Sequence, residues 1–235
     1  MECHICNRLI SSRYYVDVFD HKICESHLNN DVVSCSSCTG FTTKENALPD
    51  GRHLCPVCMN LALKQGDSIE PIKAAVEKAF NRVGFDNLRF DNIPVEIVSA
   101  EEMAKIFNMP VNPHNKGLTK IASSMGLSGQ TYSYTIYILN YLNKVEFAAA
   151  LAHEMLHVWL FGNKVQMQQK HVEGFCNMGA YLMWNTLPSS LNKTYLKILH
   201  ESPDPVYGDG FREIFAMYEE WGWEELIKNV REKKL

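Results

Sequence analysis

Ile72, Val76, Ala79, Phe80 and Val83 recur three or four positions apart in the stretch Ile69–Val83, which predicts an amphipathic helix after the turn Gly66-Asp67-Ser68. Pro94–Val98 reads as a short strand. Ser99 with Glu102 forms a capping box that opens a helix through Phe107, closed by Pro110 and Pro113. Residues 112–129 are rich in Gly, Ser, Asn and Lys and precede the strict alternation Thr131–Ile138, the best strand in the chain. That strand reads either as an edge that pairs with an extended peptide or as a core strand.

Asn143 and Glu146 give a second capping pattern, predicting a helix from Lys144 to Phe161 with Gly162 at its C-terminal cap. A further helical stretch runs from His171 through Tyr181 to Trp184. Helices are also predicted over Ser190–His200, Gly210–Trp221 and Trp223–Lys234, with Trp221-Gly222-Trp223 marking a bend. Gly208-Asp209-Gly210 by itself reads as a turn before a helix.

The first third follows a different rule. Seven of the eight cysteines lie within the first 58 residues, as Cys3-x2-Cys6, Cys24-x2-His27, Cys35-x2-Cys38 and Cys55-x2-Cys58. Such pairs bracket tight turns that aim two side chains at one point, and each unit supplies four N/S donors, the closed arrangement of a structural zinc site. Similar spacings in the two units make them an internal repeat. A segment this short cannot bury enough surface alone, so zinc serves as its core. His21-x2-Cys24 also has ligand spacing; Cys24 with His27 is preferred because the pair mirrors Cys55 with Cys58. Two successive units in this order resemble a LIM domain, whose usual role is protein binding, although the spacer of residues 28–34 is longer than is usual there. The expected boundary lies near Lys64, giving a zinc module over 1–64 and a second domain over 65–235.

Composition narrows the classes. At 46% hydrophobic and 21% charged residues the 235-residue chain has ample core material. A net charge of −4 and the lack of a basic recognition helix argue against a nucleic-acid partner. No apolar run approaches the ~20 residues needed to span a bilayer, and the N-terminus does not read as a secretory signal, so no membrane association is expected and a cytoplasmic location is. In that setting the cysteines are thiols that hold metal rather than disulfides.

Ala152-His153-Glu154-Met155-Leu156-His157 carries the chemistry. Helical geometry stacks His153 and His157 one turn apart on one face, where both imidazoles reach one zinc, and sets Glu154 beside them to deprotonate a water. A catalytic zinc needs a third protein donor and an open fourth position. Candidates are His171, Glu173 and His200. Glu173-Gly174 resembles the third-ligand motif of the gluzincins, so Glu173 is preferred, with His171 next. Asn177, one turn on, reads as a hydrogen-bond partner of a ligand imidazole or as an ordinary polar helix residue. Cys176 reads as a small buried hydrophobe. Tyr207 is the candidate donor to the oxyanion.

Leu151–Leu160, Val172–Cys176 and Tyr207-Gly208-Asp209-Gly210-Phe211-Arg212, in this order after a LIM-type module, resemble the ubiquitin-activated LIM peptidases, the plant organ-size regulators. The resemblance covers nearly the whole chain. It implies zinc ligation by His153, His157 and Glu173, with Glu154 as catalytic base, and it makes a site role for Tyr207 plausible. The chain starts at its first zinc ligand with no acidic helix before it, so dependence on ubiquitin does not carry over and a compact relative is expected.

The expected fold is therefore α+β: a small double-zinc LIM-like module with ligands Cys3, Cys6, Cys24, His27, Cys35, Cys38, Cys55 and Cys58, then a mainly helical zincin-like domain with a short sheet. The expected function is a zinc metalloendopeptidase with one catalytic and two structural zinc ions, acting on a protein or peptide substrate. The module would recruit a protein partner or regulate the active site. The alternative is a protein-binding scaffold with an inactive peptidase fold.

Overall fold

A computed structural model of the chain describes residues 1–28, 30–85, 88–126, 129–186 and 188–233. It shows an N-terminal cysteine-rich module followed by a mostly helical domain with a small mixed sheet, an α+β arrangement.

The repeat expected in the module is written in its backbone. One unit holds the antiparallel hairpin β1 (Tyr14–Val16) with β2 (Lys22–Cys24), and the other holds β3 (Val32–Ser34) with β4 (Phe41–Thr43). Asn7 directly follows Cys6 and Thr39 directly follows Cys38; both adopt left-handed backbone, with φ of 58° and 64°. Asp20 and Gly51, each four positions ahead of the next cysteine, do the same at 63° and 86°. Left-handed residues after each knuckle and in each following turn swing the second pair of donors back over the first. The short helix α1 (Pro56–Leu61) begins at Cys55, whose sulfur accepts the Cys58 N–H at 3.4 Å.

The second domain opens with α2 (Glu70–Arg82), which buries Ile72, Val76, Ala79 and Phe80, the face read from the sequence. β5 (Val95–Val98) leads into α3 (Ala100–Phe107), whose Ser99–Glu102 capping box is formed in both directions. A strand not expected from sequence, β6 (Gly117–Gly126), pairs antiparallel with β7 (Gly129–Leu139) along its full length. The sheet order is β5-β7-β6, so β7 is the central strand and β6 forms the edge. The Gly- and Ser-rich segment has little strand preference of its own and takes extended form because β7 pairs with it.

α4 (Lys144–Gly162) is capped by the Asn143 side chain, which accepts from the N–H groups of Val145 and Glu146. Gly162 is its last helical residue, and the left-handed position falls instead on Lys164, with φ 53°. α5 (Gln169–Asn185) packs on α4, and α6 (Ser190–Glu201) and α7 (Tyr207–Arg231) pack on α5. Gly208-Asp209-Gly210 is the first turn of α7. The two C-terminal helices expected from sequence are one element bent at Gly222, where φ is 74° and ψ 176°; Lys234 lies outside the described residues.

The core is aromatic: Phe80, Phe85, Phe147, Phe175 and Phe211 are fully buried, and the Phe85 ring meets Trp159 edge-on at 5.3 Å. Burying each such ring contributes about 1.5–3 kcal/mol. The module is tied to the head of α4 by backbone hydrogen bonds between Leu63 and both Tyr141 and Leu142, and by Arg52, which donates to the Asn140 carbonyl at 2.9 Å. Among the described residues no helix is long and apolar enough to cross a membrane.

Candidate metal centre

His153 and His157 lie one turn apart on α4, and their Nε2 atoms are 3.2 Å from each other. Glu173 on α5 brings Oε2 to 3.3 Å from the first and 3.6 Å from the second. Donors held at ~2.05 Å around a tetrahedral zinc stand about 3.3 Å apart, so this triangle has the size of one face of such a site. Glu173 Oε2 is buried and makes no hydrogen bond. Its close neighbours are the two imidazole nitrogens, and a cation placed over the triangle would satisfy all three donors at once. The residues present therefore fit a zinc ion.

The electrostatics agree with that fit. Burial raises the Glu173 carboxyl, but the two imidazoles beside it outweigh this and hold its pKa down at about 2. Burial disfavours a charged His157, yet Cys176, Glu173 and Glu154 around it push its pKa up to about 11. Both shifts favour positive charge between the imidazoles and the carboxylate.

α5 also sets the rings. Asn177 Oδ1 lies 2.9 Å from His153 Nδ1, and Asn177 Nδ2 donates to the Tyr207 carbonyl at 3.0 Å. The amide orientation fixed by that second bond makes Asn177 the acceptor, so His153 carries its proton on Nδ1 and turns the Nε2 lone pair toward the triangle. Cys176, expected to be a bystander, has its sulfur within 4.8 Å of ring nitrogens of both histidines. Its burial pushes the thiol up to about 11. Residues 173, 176 and 177 share one face of α5, a spacing legible in the sequence once the helix is placed against α4.

Close backbone approach makes this packing possible. A methyl on Gly174 would collide with the Gly210 carbonyl, so the glycine next to Glu173 lets α5 and α7 cross in contact and brings Tyr207 to the site.

Glu154 is 5% exposed, and Thr119 Oγ on β6 donates to its Oε2 at 2.8 Å. At Gly117 an added Cβ would stand 2.8 Å from Glu154 Cγ, so β6 passes the glutamate only without a side chain there. Thr119 was not singled out in the sequence, because nothing local marks it. His153, His157, Glu173, Glu154 and Thr119 face a cleft of about 750 Å³ lined also by the half-exposed Tyr207, whose phenol is pushed up, first by burial and then by Glu173. The other candidate ligands lie elsewhere: His171 pairs with Glu213 at 3.1 Å, and the His200 ring sits 4.7 Å from that of Phe215.

In the module, Cys3, Cys6, Cys24 and His27 bring their donor atoms within 4.8 Å of one another, as do Cys35, Cys38, Cys55 and Cys58. Sulfur separations of 3.7 and 3.9 Å compare with about 3.8 Å for a tetrahedral zinc thiolate. The thiols of Cys38 and Cys58 hydrogen-bond Cys35 and hold it far below the ordinary thiol range. His27 Nδ1 is held by Asp31 at 2.9 Å, which leaves Nε2 for the cluster. His21 stacks on His4 and bonds Asp17, outside the group.

Fold and site together define a LIM-like double cysteine cluster joined to an α+β domain with a two-histidine metal-binding group. The chain is distantly homologous, across nearly its whole length, to the DA1 and DA1-related LIM-domain proteins of plants. It is 22% identical to Protein DA1-related 7 of Arabidopsis thaliana over 97% of the chain and 52% of the relative. It is 21% identical to Protein DA1 of the same plant, over 98% and 56%, and 20% identical to LIM domain-containing protein HDR3 of Oryza sativa subsp. japonica, over 98% and 60%. The chain thus spans about half the length of the curated relatives it matches. No family model and no solved structure matches it.

Proposed function

We propose that the chain is a zinc metalloendopeptidase, with one catalytic zinc at His153, His157 and Glu173 and two structural zinc ions in the module. The observation that carries this reading is the triangle of 3.2, 3.3 and 3.6 Å closed by a buried Glu173 oxygen that makes no hydrogen bond, beside Glu154 in an open cleft. Bound there, zinc supplies the positive charge that acidifies a water and polarises a peptide carbonyl. Glu154 takes the proton of the attacking water and passes it to the leaving amine. Thr119 occupies one carboxylate oxygen and so fixes which oxygen is left to work. Tyr207, its phenol kept protonated, donates toward the carbonyl oxygen as charge develops on it.

The substrate is a protein or peptide, and the module serves recognition of a protein partner or control of the cleft. Eight free thiols, seven of them in the two clusters, support a reducing, cytoplasmic setting. The test compares new N-termini generated in a lysate by the zinc-loaded protein and by Glu154→Gln. Cleavages confined to wild type are expected; identical profiles would reject the peptidase reading in favour of a scaffold.

A further inference from the structure

Ser37 lies between Cys35 and Cys38, in the knuckle of the second cluster, and is 3% exposed. Its side chain reaches Cys58, another thiol of that cluster. The same hydroxyl leaves the module and donates to Glu146 Oε2 at 2.5 Å. Glu146 stands on α4 seven residues ahead of His153, two turns or about 10.5 Å along the axis. Its side chain is fully buried and faces three donors from three elements: Ser37, the capping Asn143 at 3.0 Å and Lys116 at 2.9 Å on the other oxygen. Tyr195 on α6 closes the network, donating to the Ser37 carbonyl at 2.9 Å while its oxygen accepts from Asn143 at 2.8 Å.

Lys116 immediately precedes Gly117, the residue without which β6 could not pass Glu154, and Thr119 follows two positions later with its hydroxyl on that carboxylate. One buried carboxylate therefore joins the zinc-type knuckle, the head of α4 and the start of β6. α4 and β6 are the two walls between which Glu154 is held. Ser37 and Asn143 are buried against Glu146 while Lys116 is 43% exposed, so the tie from the knuckle to α4 is the stiffer of the two and the tie to β6 the looser.

We propose that Ser37 is a positioning residue: through Glu146 and Lys116 it lets the Cys35–Cys38–Cys55–Cys58 cluster set the spacing of α4 and β6, and with it the placement of Glu154 against the metal centre. The module is then a working part of the active site and not only a recruiting appendage. This deepens the peptidase reading, but part of its test is independent of that reading.

The test uses the full chain loaded with cobalt in place of zinc. Ser37→Ala is expected to keep both clusters loaded, with their thiolate–cobalt charge-transfer intensity retained, to alter the ligand-field bands of the histidine site, and to lower kcat with KM unmoved. The expected loss is about tenfold, a fraction of the ~100-fold that a 1 Å misplacement costs. Combined with Thr119→Ala, the kinetic losses should fall well short of multiplicative, because one variant acts on Glu154 directly and the other reaches it through Glu146 and β6. Unchanged histidine-site bands in Ser37→Ala, or losses that multiply, would overturn the proposal and reduce Ser37 to interface packing. If the wild type cleaves nothing, the cobalt spectra still decide. Tyr195→Phe, which deletes one hydroxyl of the network, provides the same spectral test should Ser37→Ala fail to fold.

Discussion

Each cysteine cluster gathers four protein donors at one point and leaves no position free, whereas the centre on α4 gathers three and faces a cleft of about 750 Å³. The surroundings differ in the same sense. Around the first cluster the buried apolar residues described are Cys3, Ile23 and Val32, too few to hold a fold. The α-domain packs Phe80, Phe85, Phe147, Phe175 and Phe211 into a continuous core of its own. In one region four donors are gathered where there is almost no core; in the other a core exists and holds the donors ready. Donor number and the presence of a core are the two features by which structural and catalytic zinc sites differ in general, and the two regions fall on opposite sides of both.

The largest effect should come from breaking a closed site. Structural zinc contributes on the order of 10–16 kcal/mol of apparent folding energy, so Cys35→Ser should abolish hydrogen-exchange protection in the module while helices α2 and α5 stay protected. Uniform loss of protection across the chain would show that the α-domain has no core of its own. Next is the base: Glu154→Gln should lower kcat by about 10²–10⁴ with three zinc ions still bound per chain, read by peptide cleavage and metal analysis. Gly174→Ala comes third. Forcing a methyl against the Gly210 carbonyl should cost about 1–3 kcal/mol of stability by thermal unfolding and displace Glu173 enough to weaken metal binding. Asn177→Ala should weaken the catalytic metal about 10–100-fold in a chelator competition and leave both clusters loaded. The smallest effect is expected for His171→Ala, which loses only a surface pair with Glu213: stability within about 0.5 kcal/mol and unchanged zinc content. A lost metal there would instead make His171 the third ligand.

The features legible in the sequence are those encoded over one or two turns. Cysteine pairs, the His153–His157 spacing, the Ser99 and Asn143 caps and the apolar face of α2 all depend on residues three or four apart, and each appears where expected. What escaped depends on partners far along the chain. β6 is a strand only because β7 lies beside it. Thr119 and Ser37 meet their glutamates across 35 and 109 residues of sequence. Gly208 and Gly210 looked like a turn because glycine commonly marks one; here they permit contact with the backbone of Ser202 and Lys170. Cys176 was read as buried, which it is, but its neighbour His157 becomes visible only when α5 is laid on α4.

The joint between module and α-domain also imposes an order on synthesis. All eight cluster donors lie within the first 58 residues and emerge from the ribosome before most of the α-domain is made, so both clusters can close early. The groups that cover the second unit arrive late: Arg52 waits for Asn140, 88 residues on, and Ser37 for Tyr195, 158 residues on. Through that interval the second unit has one uncovered flank, and a module whose donors are already gathered would offer the head of α4 a finished surface to dock on.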